Sequence, residues 1–135
     1  MVIETEKAIV TEEEEGIIYV RLKKNSNLDV EDIKAINNAK NQLAGDRRHV
    51  VLFVPHPLSS ITPEARKHSA SPEVFRNAVC KTIIVKTLVH KIIGNFFINF
   101  LHPPAPVKLF SSEATAYRWV KQKLEEDRLK NPVNS

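Results

Sequence analysis

Ser59, Ser60 and Thr62 follow His56 closely in the stretch PHPLSSITPEARKHS. A hydroxyl beside an imidazole is the raw material of nucleophilic catalysis. Such chemistry needs the nucleophile on a strained turn and a proton acceptor beside it in space, and no GxSxG pattern is present. The simpler reading makes Thr62 the cap of a helix opened by Pro63, with the two serines in a solvated loop. Five histidines stand at 49, 56, 68, 90 and 102. None are spaced i, i+4, HExxH is absent, and the single Cys80 adds one thiol, so no metal centre is predicted. Cys80, flanked by Val79 and Ile83, reads as a buried strand thiol. Arg66 and Arg76 can contact an anion near the loop at 55–62, or pair with Glu64 and Glu73. Three glycines leave no phosphate-cradling loop. The residues predict no catalytic apparatus and no cofactor.

What the chain has instead is apolar surface. The run Leu88 to Leu101, LVHKIIGNFFINFL, read as a helix, puts Leu88, Val89, Ile92, Ile93, Phe96, Phe97, Phe100 and Leu101 on one face. At ~100° per residue that face spans roughly 220°, twice the ~100° stripe of a surface helix. One side can cover a sheet. The other must meet a helix of the same domain, a second subunit, an apolar ligand or a lipid surface. Gly94 beside the stripe would let a partner approach closely. Ile93, Phe96, Phe97, Phe100 and Leu101 are the expected contacts, with a homodimer as the leading occupant and a small apolar ligand or lipid as the alternative.

The composition is that of a soluble globular protein. The chain has 135 residues, 42% of them hydrophobic and 27% charged, enough for one domain with one core. The first 15 residues carry six acids and one Lys, while the remainder carries a net charge of +9. Glu12–Glu15 reads as a solvated hairpin tip. The basic residues are scattered and have few aromatics among them, which disfavours nucleic acid. Membrane docking, with Lys86 and Lys91 near headgroups, ranks below the dimer. The N-terminus lacks a basic region followed by a long apolar stretch, and no apolar run reaches ~18 residues, so a cytoplasmic protein is expected.

The elements that must position these residues follow from periodicity and punctuation. Residues 4–11 and 16–23 read as a hairpin, with alternating Ile18, Val20 and Leu22. Asp29 caps a helix over 30–44 that Gly45 ends, with Lys40 laying its stem along the core. Residues 49–54 form a strand buried on both faces. A helix from Thr62 to about Ser69 and a second short piece over 72–77 precede a strand at 80–85. The apolar helix follows, then a strand at 107–110 and a last helix opened by Ser111 or Ser112. Residues 1–126 form a single domain, and 127–135 a polar tail that frays. The order ββαβαβαβα predicts an α/β fold with a mixed, mostly parallel sheet.

TPEARKHSASPEVF, Ile83–Val85 followed by IGNFFINF, and PVKLFSSEATAYRWV, in this order and length, resemble the STAS domain of SpoIIAA-like fold. That group is named for bacterial anti-sigma-factor antagonists, and the likeness is nearest to its small stand-alone members. It covers roughly residues 5–125. The resemblance implies a non-catalytic module that binds a protein regulator. The antagonists carry a phosphorylatable Ser in an Asp-Ser-Ser-Gly-like loop. This chain has Ser59, Ser60 and Thr62 there, without the acid and the Gly. A phosphate at that helix N-terminus would be electrostatically favourable.

Overall fold

In the computed structural model, residues 1–132 are described. The chain runs β1 (Val2–Glu4), β2 (Ala8–Glu14), β3 (Ile17–Leu22), β4 (Asn27–Leu28), α1 (Val30–Ala44) and β5 (His49–Val54). It continues through β6 (Ser60–Ile61), α2 (Pro63–Ser69), β7 (Ala78–Ile84), α3 (Leu88–Phe100), β8 (Val107–Phe110) and α4 (Glu113–Lys130). Six strands make one sheet in the order β1-β2-β3-β5-β7-β8. β1–β2 and β2–β3 pair antiparallel, and β3, β5, β7 and β8 run parallel. This is the expected mixed α/β sheet with its N-terminal hairpin.

The parallel strands are added one after another in the same direction. Crossovers of one hand then deliver α1, α2 and α3 to the same face. The packing follows: Val10, Ile18, Val20 and Val51 meet Ile33, Ile36 and Leu43 of α1 and Ala65 of α2. A smaller cluster of Ala70, Phe75 and Phe97 continues under α3. On the opposite face Ile17, Val50, Leu52, Cys80 and Ile84 meet Ala116, Val120 and Leu124 of α4. β5 lies between β3 and β7 and feeds both cores, which is why its sequence is apolar without alternation.

Local chemistry sets the boundaries. Asp29 and Asp32 form a reciprocal capping box, each carboxylate accepting the other's backbone N–H at 2.9 Å. Gly45 ends α1 at φ +60°, where a side chain would be strained. The Lys40 stem is buried and its Nζ donates to Val74 O at 2.6 Å.

Four expectations are corrected. The sheet gains β1, and β4 pairs with β6 in a separate two-stranded sheet; such short pairings carry no readable period. Residues 72–77 form turns in place of a helix, because Phe75 must enter the core and Asn77 adopts φ +61°. The Glu12–Glu15 run is not simply solvated. Glu12 accepts from Gly16 N and pairs with Arg47, both at 2.8 Å, while Glu14 pairs with Lys121. The last helix continues to Lys130 where fraying from 127 was expected, because Arg48 grips Asp127 through two hydrogen bonds of 2.8 Å. The end of the predicted tail, 133–135, lies outside the described residues.

Candidate functional site

α3 begins where Thr87 Oγ1 accepts from His90 N at 3.1 Å. Its inward side is His90, Gly94 and Phe97. Phe97 is 4% exposed and stacks with Phe75 at 6.5 Å between ring centroids. A Cβ on Gly94 would stand 2.8 Å from Leu109 Cδ2. The glycine therefore lets α3 settle onto β8 of its own chain, which corrects the expectation that it admits a partner.

The outward side is Leu88, Val89, Ile92, Phe96 and Phe100, all exposed. Phe96 and Phe100 stack at 5.0 Å. Of the five predicted contacts, Phe96 and Phe100 stand on this open face. Phe97 does not, because it fills the core beneath the helix. Leu101 is half-buried against that core, and Ile93 is half-buried at the wall of a cleft. Leu88 and Ile92 complete the face at four-residue spacing with Phe96 and Phe100, a signal present in the sequence.

The cleft opens between α3, α2 and the loop after β5, on the sheet face away from α4. Its cavity is about 110 Å³. Phe53, Ile61, Ile83, Ile93 and Phe97 form apolar walls, with Arg66, Lys81, His90, Ser59 and Ser60 among them. Among the described residues, no carboxylate lines it and Arg66 Nε is buried without a hydrogen-bond partner. Lys81 Nζ lies 5.1 Å from the ring centre of Phe53 and 5.6 Å from that of Phe97. Burial, with a smaller effect of Lys40, pushes the Lys81 ammonium down to about 8. Burial also lowers His90, with Lys86 adding to it. His90 Nδ1 accepts from Lys86 N at 3.3 Å.

The hydroxyl loop is arranged differently from a catalytic pair. Ser59 Oγ donates to His56 O at 2.6 Å, and His56 Nδ1 accepts from Leu58 N. Ser60 Oγ bonds Asn27 Oδ1 at 2.8 Å, tying β6 to β4, and Thr62 caps α2 by accepting from Ala65 N at 3.1 Å. Ser59 and Ser60 reach the cleft wall together with Arg66. Neither Arg66 nor Arg76 pairs with Glu64 or Glu73; His68 lies 3.8 Å from Glu73. Cys80 is fully buried, and that burial pushes its thiol up to about 12, so it holds its proton at neutral pH.

Among the described residues, no cluster of three or more His, Cys, Asp or Glu could hold a metal ion, and no helix is long and apolar enough to cross a membrane. No curated protein and no solved structure matches the chain. A family model described as Domain of unknown function (DUF7793) matches residues 11–124, from β2 to α4 and including the cleft and all of α3, and the chain belongs to that family.

Proposed function

We propose that this domain is a non-catalytic, STAS-like interaction module whose α3 pairs with the α3 of a second copy. The observation that carries the reading is the row Leu88, Val89, Ile92, Phe96 and Phe100, left open by a helix whose other side is already packed. Five large side chains exposing on the order of 100 Å² each amount to roughly 500 Å² per copy, at the upper range of a monomer's largest patch. Two copies would bury roughly 1,000 Å² from these residues alone, and their rims bring the total into the range of stable interfaces. An antiparallel pairing about the level of Gly94 sets Ile92 opposite Phe96 and Leu88 opposite Phe100, the self-complementary arrangement a two-fold axis requires. Lys91 lies about 130° from the middle of the stripe, so no like charges meet in the seam.

The element order ββαβαβαβα, once the small strands β1, β4 and β6 are set aside, supports the SpoIIAA-like assignment. It is the order that the resemblance implies. In this reading the domain works in the cytoplasm and a protein regulator acts on the paired form.

Size-exclusion chromatography with light scattering at ~100 μM tests the reading. A mass of two chains is expected, with Ile92→Glu and Phe100→Glu giving folded monomers. A strict monomer at that concentration overturns it. Sedimentation of such a monomer with anionic vesicles would assign the same face to a lipid surface.

A further inference from the structure

We propose that the cleft between α3 and α2 binds a small organic anion, a carboxylate on a compact apolar body, with Arg66 and Lys81 holding the charge. Of the five outward residues of α3 only Val89 also lines this cleft, so its test is read apart from self-association. Lys7, Arg21, Lys23, Arg47, Arg48 and Lys121 each sit beside a carboxylate. All of them lie in or near the hairpin and the ends of the sheet beside it. Among the described residues, Arg66 and Lys81, at the wall of an apolar cavity, have no such neighbour, and Arg66 Nε has no hydrogen-bond partner. From Val74 to Ser112 the sequence contains neither Asp nor Glu, so the elements enclosing one side of the cleft have no carboxylate to offer.

Removing a cation from water without a partner is costly. The rings of Phe53, Phe75 and Phe97 around Lys81 Nζ offset part of that cost. Phe53 and Phe97 are also walls of the cleft, so the ammonium is held at the cavity itself. The lowered affinity of Lys81 for its proton agrees with a charge that lacks a counterion. An anion arriving here gains a desolvated partner at Lys81 and a planar guanidinium at Arg66 that matches a carboxylate's two oxygens. Ser59 and Ser60 line the same wall, but their hydroxyl protons are already donated to His56 O and Asn27 Oδ1, so the two cations carry the charge.

The remaining walls set the body of the ligand. Ile61, Ile83, Ile93 and Phe97 reject a bare hydrated ion and favour a hydrocarbon. The cavity of about 110 Å³ is smaller than one of ~150 Å³ that holds benzene, and far below the ~300–1,000 Å³ of drug-sized sites. The cleft can enclose a body of about five carbons, and the rest of a long acyl chain would lie outside it.

Calorimetric and NMR titration of the full chain with sodium hexanoate tests this. Hexanoate is expected to bind with Kd below ~1 mM, to shift amide resonances of α2, β7 and α3, and to raise the melting temperature with concentration. Hexanol, which lacks the charge, should bind at least tenfold more weakly. Inorganic phosphate, which lacks the apolar body, should produce no shifts in the cleft. Arg66→Gln and Lys81→Met should each weaken hexanoate at least tenfold, with folding verified by circular dichroism. The Arg66 variant keeps the test decisive if the Lys81 variant fails to fold. Absence of binding at 10 mM hexanoate (about tenfold above the expected ceiling), equal binding of hexanol, or an unchanged Kd in Arg66→Gln would each overturn the proposal.

Discussion

Phe97 and Phe100 are three residues apart on α3, and truncating each to alanine should have opposite consequences. Phe97 is 4% exposed, while Phe100 is 68% exposed. Emptying a buried phenylalanine site costs about 3–5 kcal/mol, the transfer of the ring plus the cavity it leaves among Phe75, Ala70 and Ile83. Phe100 loses little within its own chain beyond its stack on Phe96, worth about 1 kcal/mol. Urea unfolding at ~1 μM, where pairing is negligible, reads the protomer alone. With a slope near ~2 kcal/mol per M, Phe97→Ala should move the midpoint down by ~2 M and Phe100→Ala by ~0.5 M or less. Raising the protein to ~100 μM should stabilise the wild type and Phe97→Ala by mass action but leave Phe100→Ala unchanged. A loss above ~2 kcal/mol for Phe100→Ala at the low concentration would place that ring in the protomer's own core and remove the open face. Equal losses for the two variants would refute the inward and outward division of the helix.

Three further outcomes are expected. Burial holds His49 neutral, down to about 4 in the folded chain, so the unfolded chain takes up the extra proton as pH falls from ~6.5. Stability should therefore be complete above that pH and decline by about 3 kcal/mol toward pH 4, with His90 adding a smaller loss of the same sign. His49→Asn should flatten the slope of unfolding free energy between pH 6.5 and 4.5, a window above the range where carboxylates such as Glu12 give up their pairs. Asp29→Ala removes one half of the capping box and should cost about 1 kcal/mol in thermal or urea unfolding, with a loss below ~0.3 kcal/mol counting against the cap. Asp127→Asn should loosen the last turns of α4, seen as faster amide exchange over 124–130. Because Arg48 is partly exposed, its global cost should stay near ~1 kcal/mol and shrink in high salt.

The elements that local chemistry defines were legible in the sequence. Asp29 and Gly45 bracket α1 as expected, Thr62 and Pro63 open α2, and His49–Val54 is the buried central strand. Elements that depend on distant partners were not. β4 and β6 have two residues each and exist because Asn27 and Ser60 meet across 33 positions of chain. The start signal at Ser71-Pro72-Glu73 was present, yet a second helix there would compete with Phe75, which reaches the core only if the chain turns. The persistence of α4 past residue 126 depends on Arg48, 79 residues away, whose guanidinium holds Asp127.

The same division runs through α3. That the helix had more apolar surface than one contact needs followed from period alone. Which side of the arc turned inward did not, because every large residue on it is equally apolar. The choice is made by the smallest residue. Gly94 is the point where α3 can come close enough for Leu109 to fill the space of a missing side chain. Once that contact is set, helical geometry carries His90 and Phe97 inward with it and turns Leu88, Ile92, Phe96 and Phe100 out. The cleft was less legible still. Arg66 stood out as a candidate anion contact beside the hydroxyl loop, but Lys81 read only as the polar residue of a strand. Nothing in the spacing of a helix and a strand 15 positions apart says that both cations line one cavity without an acid. Only the parallel order of β5 and β7, with α2 and α3 delivered to the same face, brings them together.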